Sequence, residues 1–449
     1  MNNPTTTQEH INKIIEFRQG LYAQGFRRRR DAMFEALDAL LLAGPVASFA
    51  RLSLDPRFKR HWHSLYKGLE KGELDRAWLT THLARQVPGA KLQYFCLDGT
   101  AWPRPRARTL DDRQYVYGPT QAVKGGSICV GYAYSLLDWV PRPHSSWSLS
   151  VNLQRIPSSA TASEVGVQQV QALSETRRGY TEGLDIVAAD AKYGNAGFLR
   201  PLQGQSCGIV VRLRQDRVLY RAPEPPSEKR RGRPRIHGAR FAFKEPDTWG
   251  TPHERLAFEH PHLGQVKLER WHTLHGQHDA DVPFDVVRAR IHLERVKPPA
   301  PIWLAWQAPP SIPPHLHVTA ETIWQAYCHR WSVEPGIRFR KQSLGWNLPR
   351  FQHKETGDRW SWLVALAVWL LYLARPIVQD HPLPWQKPQT SLTPERVQQS
   401  LVTLFEQFAS PARCPKVRGK PPGWPTGRAR TPKQPFQVVK KRPAQPQTA

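Results

Sequence analysis

Two short apolar runs, each ending in an aspartate, restrict the folds open to this chain. Leu92 to Leu97 runs into Asp98-Gly99-Thr100, and Leu184 to Ala189 runs into Asp190-Ala191-Lys192-Tyr193-Gly194. Runs of this length bounded by turn residues read as buried strands. Between them, Ser127 to Leu137 and Ser146 to Leu153 read as two more strands and Ala162 to Arg177 as a helix; Gly208 to Leu213 follows as the next strand. Three strands, a helix and two more strands make a mixed α/β order with the acids placed where strands finish. Chemistry collects at such strand ends in open α/β sheets, so two carboxylates from two strands can converge.

A third acid sits in the stretch YCHRWSVEPGIRFRK, where Tyr327, Arg330, Glu334 and Lys341 fall at i, i+3, i+7 and i+14. At about 100° per residue a continuous α-helix would carry all four within roughly 60° of one another. An acid among two cations and a phenol makes a poor core stripe and suits a surface that meets metal ions and phosphates. Pro335-Gly336 directly follows the glutamate. Proline removes an amide donor and crowds the preceding turn, so a kink is expected there that leaves Tyr327, Arg330 and Glu334 as a unit and turns Lys341 away.

Asp98, Asp190 and Glu334 call for a joint explanation. A lone strand-end aspartate is more often a turn cap than a ligand. Two of them with a helix glutamate match what is needed to hold two divalent ions about 3.5 to 4 Å apart for an in-line phosphoryl displacement. Hard oxygen donors select Mg²⁺, with Mn²⁺ as a substitute, over zinc. His272, His275 and His278 surround Gly276 with no helix to align them and no fourth ligand, and are set aside as a metal site.

The rest of the chain reads as polyanion-binding. Lys and Arg number 64 against 37 Asp and Glu, a net charge of +27 that favours nucleic acid as the partner. Residues 1–90 read as a helical DNA-binding or accessory domain, with helices at His10 to Gln24, from the Arg27 to Arg30 run to Leu41, near Arg60 to Lys71 and at Asp75 to Gln86. Residues 91–214 and 311–380 read as two parts of a catalytic core, the second including an apolar Trp360 to Ala374 helix packed under the site. Between them, 215–310 reads as a β-rich insertion, with strands at Gln265 to Leu274, Phe284 to Leu293 and Pro301 to Trp306. It opens on a basic loop carrying Arg231, Arg233 and Arg235. Gly and Pro keep that loop narrow, in the manner of an AT-hook laid along a minor groove. Residues 381–449 begin with a Pro-rich linker and a Thr393 to Phe408 helix, then become a basic tail too poor in apolar residues to bury a core. Five scattered cysteines without a CxxC pair speak against zinc ribbons and disulfides, and no apolar run is long enough to span a bilayer. A reducing cytosol, with no membrane partner, is the expected setting.

These residues together resemble the DDE transposases of bacterial insertion sequences that carry a Y-x2-R-x3-E-x6-K signature. Tyr327, Arg330, Glu334 and Lys341 match all four positions, LDGT at Asp98 resembles the strand of the first acid, and ADAKYG at Asp190 that of the second. DGTAWPRP, the GRPR loop, KQSLGW, DRWSWL and the basic tail are similar to one transposase group over nearly the whole chain. The resemblance implies an RNase H-like mixed-sheet core interrupted by a β-rich insertion, with Asp98, Asp190 and Glu334 as catalytic metal ligands. It implies further that Tyr327, Arg330 and Lys341 hold DNA phosphates, that transposon-end and target DNA are the partners, and that a homodimer forms the synaptic complex near the bacterial nucleoid. Two other classes share parts of this pattern: a DNA-binding protein of transposase descent that no longer cuts, and an RNase H-like metal nuclease.

Overall fold

The computed structural model describes residues 4–117, 128–180, 182–224, 235–292, 299–416, 423, 425–429 and 431–440. The chain starts with α1 (Pro4–Gly20), which widens into a π-helical turn at Leu21–Gly25, and continues through β1 (Phe26–Arg28) into α2 (Arg30–Leu42). The four-arginine run is therefore not the start of a single helix. Arg27 and Arg28 lie in β1, where Arg28 pairs with Glu73 of β2 (Glu73–Leu74), Arg29 has a φ of 58°, and only Arg30 is helical. Arg27 is held in that path by donating to Asp75 Oδ2 at 2.5 Å. Every residue of α2 from Ala32 to Leu41 is buried, and the two acids in that stretch each meet an arginine: Arg18 donates to Asp38 at 2.6 Å, and Arg60 lies 3.3 Å from Glu35. α3 (Phe49–Leu52), α4 (Trp62–Lys71) and α5 (Arg76–Gln86) follow, the last capped by Asp75, which accepts from the Trp78 amide.

The central sheet begins with β3 (Leu92–Pro103), β4 (Gln114–Tyr117), β5 (Ile128–Trp139) and β6 (Leu149–Ile156). β4 is one strand more than expected before the helix. α6 (Ala162–Arg177) has a Thr161/Glu164 capping box and is followed by β7 (Leu184–Ala189), the short α7 (Ala196–Leu199) and β8 (Gly208–Leu213). β5 runs antiparallel to β3, β4 and β6, while β3, β7 and β8 are parallel neighbours.

The inserted strands β9 (Val218–Arg221), β10 (Arg240–Ala242), β11 (Glu254–His260), β12 (Gly264–Gly276), β13 (Asp279–His292) and β14 (Ile302–Gln307) do not form a separate sheet. β14 pairs antiparallel with β8, so they extend the core into one mixed sheet of 12 strands among the described residues. The alternative would leave the edge of β8 open, a row of unpaired backbone groups. Of the basic loop, Arg231 and Arg233 lie outside the described residues, and Arg235 is exposed.

After the sheet come α8 (Ala320–His329), a single 3₁₀ turn at Arg330–Ser332, α9 (Val333–Gln342), α10 (Lys354–Ala374) and α11 (Pro394–Leu401). α10 is buried almost all round, as its composition predicts, and packs against α1, α2, β6 and α11. One continuous apolar core runs from Ile14 through the sheet and α10 to Phe408. No helix among the described residues is long and apolar enough to cross a membrane. Part of the tail expected to lack structure is placed by polar contacts in lieu of a core. Ser410 donates to Asp38, the Phe436 amide donates to the Arg108 carbonyl at 2.8 Å, and the Val439 amide donates to the Arg113 carbonyl at 2.8 Å beside the free edge of β4.

Candidate active site

The parallel ladder between β3 and β7 is in register from Leu92↔Leu184 to Leu97↔Ala189. The next residue on each strand is an aspartate, so Asp98 and Asp190 stand side by side at about the 4.8 Å spacing of neighbouring strands. Only one of them ends its strand. β3 runs on through Asp98 to Pro103 because β5 stays paired with it as far as Gly131, whereas β7 stops and Asp190 begins a 3₁₀ turn at Ala191–Tyr193. Asp98 thus marks the point where one neighbouring strand departs, which opens a gap in the sheet beside it. Its Oδ1 accepts from the Gly99 amide at 2.7 Å.

Glu334 arrives from the other side, on the first turn of α9. The stripe of four signature residues is not one continuous α-helix, and the break does not fall at Pro335. The chain tightens earlier, at Arg330–Ser332, and Pro335 sits in the first turn of the new helix, where a missing amide donor costs nothing. Gly336 has a different task from weakening the helix. A Cβ there would lie 2.0 Å from Ser148 Oγ, so the glycine lets α9 lie directly on the loop before β6.

Arg330 lies at the centre of the three acids. Its Nη1 donates to Asp98 Oδ2 at 3.0 Å, and its Nη2 is 3.7 Å from Asp190 Oδ1 and 3.9 Å from Glu334 Oε1. The guanidinium is only 9% exposed, while the acids grade outward from Asp98 at 20% through Asp190 at 41% to Glu334 at 65%. Burial pushes the Asp98 carboxyl up, against the opposing pull of Arg330 and the Gly99 amide. Burial works against the Arg330 charge as well, but Asp98, Tyr327 and Asp190 outweigh it and its pKa rises, so the cation persists.

The other two signature residues also turn inward. Tyr327 is buried, with the Arg330 guanidinium 5.8 Å from its ring centroid. Lys341 donates to Thr100 Oγ1 at 2.6 Å and to the Ala101 carbonyl at 3.1 Å, just past Asp98 on the same strand, and burial pushes its ammonium down to about 8. Sequence reasoning missed the pair that anchors this helix. Arg340 and Asp138 meet at 2.8 Å in the interior, Arg340 also donates to the Ser148 carbonyl, and Ser150 donates to Asp138. The only signal was an arginine, Arg340, directly before the signature lysine. Among the histidines set aside, His272 lies 2.9 Å from Asp285, and His275 lies 3.0 Å from His237.

Among the described residues no three acid, histidine or cysteine groups stand in ready metal-binding geometry. The donor set of Asp98, Asp190 and Glu334 is all carboxylate oxygen, which suits Mg²⁺ or Mn²⁺. The Arg330 guanidinium is a positive charge already drawn to the same spot, a stand-in for such an ion. The acids therefore suit divalent cations by their donor chemistry.

Comparison with known proteins reaches the same part of the chain. A solved piggyBac transposase, in a cryo-EM synaptic complex with hairpin DNA, is similar with a TM-score of 0.42 and 11% identity over 85% of this chain and 71% of that one, too loosely to bear on the site. No curated protein matches the sequence. The family model for DDE superfamily endonucleases matches residues 21–277, which take in Asp98 and Asp190 and end before Glu334. With the paired aspartates inside a match that spans more than half of its 449 residues, the chain belongs to the DDE superfamily endonucleases, a family of phosphoryl-transfer enzymes.

Proposed function

We propose that this endonuclease is the DDE transposase of an insertion sequence, built on an RNase H-like core, which cleaves DNA at the element ends and transfers the ends into target DNA. The observation that carries this reading is the meeting of Asp98 and Asp190, adjacent in register, with Glu334 around one buried cation. These three residues would hold two Mg²⁺ ions, or Mn²⁺ in their place. Bound there, the ions supply activation of water or of a 3′-hydroxyl and neutralise charge on the scissile phosphate.

The chain's own residues do the rest. The register of β3 and β7 fixes two carboxylates without loop flexibility, and α9 brings the third from a helix. Lys341, held against β3 two residues past Asp98, offers a cation beside the path of the bound strand. The net charge of +27, with Arg231, Arg233, Arg235 and the basic tail, would supply the bulk of the salt-sensitive affinity for end and target DNA, and two copies would pair the ends.

Asp98→Asn, Asp190→Asn and Glu334→Gln test the reading on a plasmid that carries the inverted repeats flanking the coding region. Each substitution is expected to abolish Mg²⁺-dependent nicking at the ends while leaving mobility-shift affinity within about threefold, since DNA binding rests on many phosphate contacts. Wild-type levels of nicking in any of the three would remove that residue from the site. Mg²⁺-dependent cleavage with no preference for the ends would favour a general nuclease.

A further inference from the structure

Arg330 is hard to understand as a simple phosphate ligand. A side chain waiting for DNA should face solvent, yet this one is nearly buried and directed into the carboxylates. Its contacts are uneven in a telling way. One, to Asp98, is a hydrogen bond at 3.0 Å, whereas those to Asp190 and Glu334, at 3.7 and 3.9 Å, are longer than hydrogen bonds. Its Nε has no hydrogen-bond partner among the described residues. A guanidinium seeking bonds would settle bidentate on one carboxylate. This one takes the point nearest to all three and leaves a donor unmet, which is how a charge placed by the summed field of three anions behaves.

Those anions repel one another, and to stay together in a half-buried gap they need a proton or a cation between them. A Mg²⁺ ion needs oxygens at about 2.0 to 2.1 Å, so carboxylates spread around a guanidinium at 3.0 to 3.9 Å must close in to bind one. The guanidinium and the ions would then claim the same space with the same sign of charge.

We propose that Arg330 is the built-in counter-cation of the three-carboxylate site: it holds Asp98, Asp190 and Glu334 together while metal is absent, and metal binds only as the guanidinium leaves. This rests on the reading of the acids as metal ligands and adds to it a role for Arg330 as a positioning residue. The group that draws the side chain out is a phosphate, the one anion that the proposed substrate brings to the site and that matches the guanidinium fork. DNA binding and metal loading are then coupled, so the protein without DNA resists idle metal binding.

The test measures Mn²⁺ binding to the full chain by the electron paramagnetic resonance signal of the free aquo ion, with no cleavage involved. In DNA-free protein, Arg330→Gln is expected to bind Mn²⁺ tighter than wild type by about tenfold or more, because a like charge has been removed from the site. Arg330→Lys, which keeps the charge, should stay near wild type. Adding a short random-sequence duplex should tighten Mn²⁺ binding to wild type and change Arg330→Gln much less. Melting in EDTA gives a second readout: Arg330→Gln should melt below wild type, and Mn²⁺ should restore it more than it raises wild type. Equal Mn²⁺ affinity in DNA-free wild type and Arg330→Gln would overturn the counter-cation role and leave the metal site standing. If Mn²⁺ binds neither protein, with or without duplex, or binds Asp98→Asn as well as wild type, the metal-site reading itself falls and the counter-cation role with it.

Discussion

Replacing Arg340 with Met should damage this protein more than any surface charge change, and the reason can be worked from its surroundings. The Arg340 side chain is 1% exposed and Asp138 0% exposed, and they meet at 2.8 Å. Without the guanidinium, Asp138 keeps, among the described residues, the Ser150 hydroxyl as its donor, at 2.6 Å, which cannot offset a fully buried negative charge. Breaking a buried pair from one side costs about 3 to 5 kcal/mol, whereas replacing both partners with apolar groups of similar size is often close to neutral. Arg340→Met and Asp138→Leu should therefore each destabilise by about 3 kcal/mol or more, and the double variant by clearly less than their sum. Urea denaturation of the four proteins, followed by far-ultraviolet circular dichroism, closes the cycle. α9 carries Glu334 and Lys341 on one side and Arg340, its tie to Asp138 of β5, on the other, so Mg²⁺-dependent cleavage by the folded single variants should fall more than their DNA affinity. Single variants that lose less than about 1 kcal/mol, or a double variant that loses the full sum, would refute the argument that the pair is an anchor.

Two further outcomes follow from the same helix. Gly336→Ala should cost about 1 to 3 kcal/mol by overpacking, although alanine is the better helix former, because its Cβ would meet Ser148 Oγ at 2.0 Å; Ser148→Ala should recover part of the loss and not all, since the Ser148 Cβ remains 3.1 Å away, and thermal melting of the two single variants and the double variant checks it. Lys341 has its folded-state pKa depressed from 10.5 to about 8, so between those pH values the unfolded chain binds more protons than the folded one and stability must rise with pH. Relative to Lys341→Met, the wild type should gain on the order of 2 to 3 kcal/mol from pH 8 to 10.5 and show no such gain from pH 6 to 8, measured by urea midpoints across the series.

The parallel strands β7 and β8 were open to sequence reading because each is six residues long, apolar and almost wholly buried. Leu184–Ala189 and Gly208–Leu213 have the expected ends, and Ala162–Arg177 is bounded by its own Thr161/Glu164 cap. The misses have local causes. β4 is four residues long, with Tyr115 and Tyr117 facing outward, and such an edge strand carries too little apolar signal to separate from a loop. At Arg27 to Arg30 a β-pairing with residues over forty positions away overrides a local preference for helix. That the inserted strands continue the core sheet depends on β14 finding the edge of β8, a long-range match that periodicity does not encode.

The site divides along the same line. Asp98 and Asp190 were legible because a parallel register turns two strand sequences directly into one neighbourhood, and spacing along the chain singled out Glu334. What spacing could not convey is the direction each side chain faces once the helix carrying it is docked. A stripe of Tyr, Arg, Glu and Lys reads as one face toward one ligand, yet the 3₁₀ turn at Arg330–Ser332 shifts the phase of the helix between Arg330 and Glu334. Tyr327 then enters the core, Lys341 binds the strand beyond Asp98, and Arg330 turns to the acids. Three anions, two set side by side by backbone register and the third brought by α9, need neutralising before any metal arrives, and the nearest buried cation within the signature is Arg330. Its position is thus a consequence of the acids converging, which makes the charge balance of the site, more than the signature spacing, the property that decides where Arg330 goes.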